Sequence, residues 1–225
     1  RTTFQQLEDE VRKNPADFQA AFNLAGACLQ IQQMDRAVQV LDGVLNSPQA
    51  EASAFRGLIQ AYGSFSNRSG LERTVDKLEA LVRANPANYQ AVIGLAEGYR
   101  QLQKPDAAIQ ALDRAVNDPK IDANSVLSIA QAYAALKDTA KLEVALEKLT
   151  KVMPGNPEAW YDLAALKSGI GKPAEALTAL RQALDLSAKR LQLDPKAHDL
   201  LANARKEERF GPLRQTPEFQ KLVPP

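Results

Sequence analysis

Apolar residues recur at spacings of three and four along most of the chain, interrupted at regular intervals by short polar breaks. Phe4, Leu7 and Val11 open the pattern, followed by Ala21, Leu24, Ala25 and Cys28, then Ala37, Leu41 and Val44. The same spacing returns in Phe55, Leu58, Ile59 and Tyr62, in Val92, Leu95, Ala96 and Tyr99, and in Val126, Ile129, Ala130 and Tyr133. Residues three and four apart share one face of a helix, so the pattern predicts a succession of amphipathic helices and no strands. Proline marks several breaks: Pro48, Pro86, Pro119 and Pro154 each disfavour helical geometry in the preceding residue.

The breaks are periodic because the text itself repeats. Asn14 to Pro48 and Asn85 to Pro119 align without a gap, matching at Asn-Pro-Ala, Gln19/Gln90, Ala20/Ala91, Leu24-Ala25/Leu95-Ala96, Gln30/Gln101, Asp35/Asp106, Ala37/Ala108 and Leu41-Asp42/Leu112-Asp113. A unit of this length cannot bury its apolar face alone and must stack on its neighbours. Lys104-Pro105-Asp106 separates the two helices of a unit, with Pro105 suited to a first helical turn, where no N–H is required.

The spacing Val92-x-x-Leu95-Ala96-x-x-Tyr99, then Ala108-x-x-x-Leu112, then Pro119, resembles the tetratricopeptide repeat (TPR), a helix-turn-helix of about 34 residues. The resemblance covers about four fifths of the chain. It implies an all-α, right-handed superhelical solenoid of TPR repeats. On that frame, residues 1–14 are the second helix of a half repeat, and 15–48, 49–86, 87–119, 120–154 and 155–195 are five repeats. Residues 196–225 are a C-terminal helical cap, with a helix from Ala197 to Arg209 and a short one after Thr216-Pro217.

Three units depart from the pattern. In the second, Thr74 stands where the family prefers Ala, and SFSNRSG from Ser64 to Gly70 predicts a turn about three residues longer than its neighbours and the most mobile point of the array. In the fourth, Leu142 replaces a small residue. In the fifth, Lys167 takes the usual aromatic position, which predicts a partly exposed face or a packed stem whose ammonium escapes to water.

Composition narrows the function classes. Charged residues make up 24% and aromatics 6%, and the formal net charge is +1, so nothing favours nucleic acid or direct contact with an anionic membrane. The longest uncharged run, Phe18 to Met34, carries too many Gln and Asn residues to cross a bilayer. One cysteine excludes an internal disulfide or a thiolate zinc site, and Cys28 reads as a packing residue. His198 is the only histidine, and no phosphate-binding loop, dinucleotide fingerprint, HExxH motif or Cys cluster is present; a catalytic role and a cofactor are not expected. The chain opens inside predicted helix at Arg1, as a piece of a longer protein would. A preceding segment could hold a targeting sequence or anchor, and compartment and oligomeric state stay open.

The resemblance implies recognition of a protein or peptide on the concave face, lined by the first helix of each pair. The exposed positions between the packing residues are Gln19, Phe22, Asn23, Gly26, Leu29 and Gln30 in the first repeat, and Ser53, Arg56 and Gln60 in the second. The third contributes Gln90, Ile93, Glu97, Arg100 and Gln101, the fourth Asn124, Leu127 and Gln131, and the fifth Glu158, Tyr161 and Asp162. Side-chain amides both donate and accept, and so can pair with a peptide backbone of almost any sequence. The carboxylate clamp of chaperone adaptors is missing, because its places hold Phe22, Gly26, Gly57, Gln90 and Gly94. A non-catalytic binding scaffold is the expectation. The alternative is an assembly or regulatory module of a larger protein, such as one of a bacterial membrane or envelope, whose groove holds its own chain or a second copy.

Overall fold

Among the described residues, 3–225 of this computed structural model, every regular element is a helix. Five pairs follow a lone first helix, α1 (Thr3–Lys13): α2 (Phe18–Gln30) with α3 (Met34–Leu45), α4 (Ala52–Ser64) with α5 (Arg68–Ala84), α6 (Tyr89–Gln101) with α7 (Pro105–Val116), α8 (Ala123–Ala135) with α9 (Thr139–Val152), and α10 (Pro157–Gly169) with α11 (Pro173–Leu193). The cap is α12 (Leu200–Lys206), a 3₁₀ segment (Glu208–Leu213) and α13 (Pro217–Leu222). Arg1 and Thr2, where the sequence predicts helix already under way, lie outside the described residues. No described helix is long and apolar enough to cross a membrane.

Asp or Asn side chains start most of these helices. Asp17, Asn88, Asp122 and Asn156 accept hydrogen bonds from the first-turn N–H groups of α2, α6, α8 and α10, and Asn67 and Asp138 do so for α5 and α9. Each satisfies donors that a helix N-terminus leaves without an intrahelical partner. The two helices of every pair are joined by three residues whose middle member has positive φ: Gln32, Ser66, Gln103, Lys137 and Gly171. The following N–H closes each turn on the carbonyl of Cys28, Tyr62, Tyr99, Tyr133 or Lys167, the back-bond of a Schellman motif.

That shared turn corrects the reading of the second repeat. Ser64 to Gly70 is not a long loop; Arg68, Ser69 and Gly70 are the first turn of α5, because Asn67 caps it by accepting from the Gly70 N–H at 2.8 Å. The extra length sits in the helix, which runs 17 residues against 12 in α3 and α7. Leu71, not Thr74, therefore occupies the place of Ala37 and Ala108. Thr74 lies one turn further on, fully buried, with its hydroxyl bonded to the Gly70 carbonyl at 2.7 Å. The predicted helix from Ala197 to Arg209 is also shorter, since Asp199 caps α12 only at Leu200 and the chain leaves α-geometry at Glu207.

Packing divides the chain into two compact units, Arg1–Ile121 and Asp122–Pro225. In the first, Cys28, Leu41, Leu58, Ile59, Tyr62 and Leu78 form the buried core, with Phe4, Leu7 and Val11 of α1 half-buried against it. In the second, Lys167 overturns the expectation of an ammonium in water: the residue is buried, and its Nζ lies 2.7 Å from Glu143, 2.6 Å from Glu147 and 2.7 Å from Glu175. Burial alone would lower its pKa, but the three carboxylates outweigh that and hold it above the ordinary value. One charged residue thus ties α9, α10 and α11 together where the other repeats use an aromatic or Cys28.

Candidate binding groove

In the first unit, the faces of α2, α4 and α6 that carry the predicted residues are only partly open. Phe22 is half-buried with its ring against Gly57, where an added Cβ would lie 2.6 Å from the ring. The Arg56 stem lies over Gly94 in the same way, leaving no room for a Cβ there, and its guanidinium donates to the Gln90 side-chain oxygen. This close approach of α4 and α6 leaves Ile93 only 6% exposed, so it is mainly a packing residue that presents little surface to the groove. Gln101 is likewise held, its amide donating to Glu97 at 3.1 Å and to the Ile59 carbonyl at 3.4 Å.

The two arginines differ. Arg100 grips Glu97 one turn earlier with two hydrogen bonds, of 2.9 and 2.6 Å, which hold the Glu97 carboxyl below its usual range despite burial. Arg56 has no carboxylate partner among the described residues. Beside it, Ser53, Gln60, Ile93, Gly94 and Glu97 bound a cleft of about 300 Å³ between α4 and α6. Gln19, Asn23, Gln30, Gln60 and Gln90 remain exposed, although Gln19 donates to Asn23 at 3.0 Å.

In the second unit Asn124 and Gln131 are exposed on α8, but Tyr161 on α10 is buried. The cap covers it. Phe210 stacks edge-on against its ring at 5.3 Å, Asn203 donates to its hydroxyl at 2.7 Å, and Ser168 further along α10 bonds the Arg209 carbonyl at 3.0 Å. Burial, above all, pushes the phenol up to about 12. Next to it, α8, α9 and α10 enclose a cleft of about 610 Å³ lined by Leu127, Gln131, Leu142, Leu146, Leu166 and Ile170, with Asp162 and Arg209 among its lining residues. Spacing places Leu127, Gln131 and Asp162 on this face, but not the walls that α9 and the cap add, Leu142, Leu146 and Arg209.

Cys28 is fully buried, and burial raises its thiol pKa, so it is a packing group. No group of three or more metal-ligating side chains comes together among the described residues.

Family models described as tetratricopeptide repeats match residues 5–61, 71–125 and 157–190, close to two thirds of the chain. The chain belongs to the tetratricopeptide repeat family. No curated protein matches it as a sequence relative. Solved TPR-like structures similar to it include MamA, at 20% identity over 75% of this chain and 97% of that one, with a TM-score of 0.47. A MamA fragment from Desulfovibrio magneticus RS-1 follows at 14% identity, covering 76% and 96%, with a TM-score of 0.46. YrrB, described as a TPR protein with an unusual peptide-binding site, shares 21% identity over 92% and 99%, with a TM-score of 0.44. At these scores the likenesses add nothing beyond the family. Between them, the matched TPR segments leave out residues 62–70 and 126–156.

Proposed function

We propose that this TPR protein is an interaction scaffold that takes an extended acidic peptide on the first-helix face of its first unit. Arg56 carries the reading. Its stem is fixed on Gly94 and its guanidinium is oriented by Gln90, yet no carboxylate among the described residues pairs with it, while Arg100 is already paired. Gln19, Asn23, Gln60 and Gln90 supply exposed amides nearby for a peptide backbone.

An array of acidic and neutral peptides probed with the intact protein tests this. Acidic members should bind, Arg56→Glu should cost about 1.5–3 kcal/mol, the range for a hydrogen bond to a charged group, and added salt should weaken binding further. Affinity indifferent to both Arg56→Glu and salt would remove Arg56 as the anchor. Sedimentation of the same sample separates peptide capture from self-association.

A further inference from the structure

The geometry points to a second subsite of opposite chemistry in the second unit: the cleft between α8 and α10 takes an apolar peptide segment bearing one basic side chain, anchored at Asp162. This rests on the reading that first-helix faces bind peptides, and it assigns this one its ligand.

The two units present different side chains at matching places. Leu127 is the fifth residue of α8, as Arg56 is of α4, and Asp162 is the sixth of α10, as Gly94 is of α6. In the first unit that pairing lets the arginine stem fill the space above the glycine. In the second the space stays open, at about 610 Å³, within the roughly 300–1,000 Å³ common for ligand sites. Its walls are aliphatic, and Leu127 is 40% exposed, a large apolar side chain facing no protein partner over much of its surface.

Charge selects the occupant. Asp162 and Arg209 line the cleft, and of the charged groups acting on Asp162 three are already paired: Glu158 with Arg190 at 2.7 Å, and Glu207 with Arg209 through two bonds of 2.9 and 3.1 Å. Arg190, from α11, is the partner that removes Glu158. Asp162 accepts no hydrogen bond among the described residues; burial, with the nearby Glu158 and Glu207 charges, pushes its carboxyl up, and the attraction of Arg209, already bonded to Glu207, only partly offsets this. A half-buried carboxylate without a donor, set at the edge of aliphatic walls, is stabilised by an incoming ammonium or guanidinium. Gln131, four residues after Leu127 on the same face of α8, offers an amide to the backbone of the segment.

The probe is an array of heptapeptides Leu-Ser-Leu-X-Leu-Ser-Leu, acetylated and amidated, with X running through the twenty amino acids and norleucine, read with the whole protein. Lys and Arg at X should bind best, and norleucine, which keeps the Lys stem without its charge, should bind roughly tenfold more weakly, as for one lost charged hydrogen bond. Asp162→Asn should abolish that difference while leaving norleucine binding unchanged, and Leu127→Asp should remove binding of every member. Equal affinity for Lys and norleucine, a preference for acidic X, a basic preference that survives Asp162→Asn, or no binding at all would each overturn the subsite. Helicity and melting of each variant exclude unfolding. If acidic peptides still bind in an Arg56-dependent manner when this array fails, the general reading stands and only the subsite falls; failure of both arrays removes both.

Discussion

A left-handed backbone angle costs a residue with a Cβ about 1–2 kcal/mol, while glycine costs about 0.5–1 in lost chain entropy. Four of the five pair turns put Gln32, Ser66, Gln103 or Lys137 at that angle, and only the last uses Gly171. Gln103, exposed at φ 61, is the cleanest case. Gln103→Gly should stabilise the protein by about 0.5–1 kcal/mol in urea unfolding, the difference of those two costs, and Gly171→Ala, with no neighbour within 4 Å, should destabilise by a similar amount. Lys167 offers a second residue-scale test. Removing one partner of a buried ion pair costs about 3–5 kcal/mol, but the Glu147 and Glu175 side chains are 43% and 58% exposed and rehydrate, and Glu143 keeps Lys172 at 2.8 Å. Lys167→Met should therefore lose less, about 2 kcal/mol at pH 7. The pairing holds the Glu143 carboxyl below its ordinary 4.5, so its contribution is present above that value and fades as pH falls through the lower folded value. The deficit of the variant should hold from pH 7 to about 4.5 and shrink as pH falls further below it; a deficit that stays constant below 4.5 would mean that Lys167 acts through packing alone.

At the scale of elements, the existence and faces of the helices were legible because a period of 3.6 and Asp/Asn caps are local signals. The register of α5 was not. Ser, Asn and Gly between Ser64 and Gly70 compose a loop by propensity, yet Asn67 is a cap and Gly70 is glycine for a distant reason: the buried Tyr62 ring rests on it, 2.2 Å from where a Cβ would stand. Tyr62 cannot step aside, since its hydroxyl donates to Asp42 at 2.5 Å and Arg73 holds the same carboxylate at 3.1 Å. Gly70→Ala gains up to about 1 kcal/mol of helix propensity but overpacks the core at a typical cost of about 1–3 kcal/mol. A net loss of about 1–2 kcal/mol in urea unfolding is expected from those terms. A stabilised Gly70→Ala protein would show that the ring has room to move. The groove residues follow the same rule. Gln19, Asn23, Gln60, Gln90, Asn124 and Gln131 are exposed as their spacing implies, whereas Ile93 and Tyr161 are covered by contacts that no local window contains.

At the scale of the molecule, a stack of repeats has two ends, and an uncovered end leaves an apolar face in water. The second unit closes its end with its own cap: Phe210 and Leu213 of the 3₁₀ segment and Phe219 of α13 are buried, and Phe210 stands between Tyr161 at 5.3 Å and Phe219 at 5.8 Å. The Arg214 guanidinium fastens the cap to itself, donating to the carbonyls of Arg205 at 3.0 Å and Ala204 at 3.2 Å. Coverage of this kind buries Tyr161 and leaves the cleft beside it as the open part of that face. Phe210 is fully buried, and Phe→Ala at such a site typically costs about 3–5 kcal/mol through lost burial and the cavity left behind. The single tryptophan, Trp160, sits on α10 next to Tyr161, with its indole N–H bonded to the Pro154 carbonyl at 2.8 Å, so its fluorescence reports the second unit. Phe210→Ala should shift the tryptophan-detected urea transition by an amount in that range. In an NMR titration that resolves the ring of Tyr161 from the other four tyrosines, it should also bring the Tyr161 phenol down from about 12 towards its ordinary 10, because the burial that raises it is lost. An unshifted tryptophan transition together with an unshifted phenol would mean that the cap lies on α10 without stabilising it, and that the end of the stack is covered by something else.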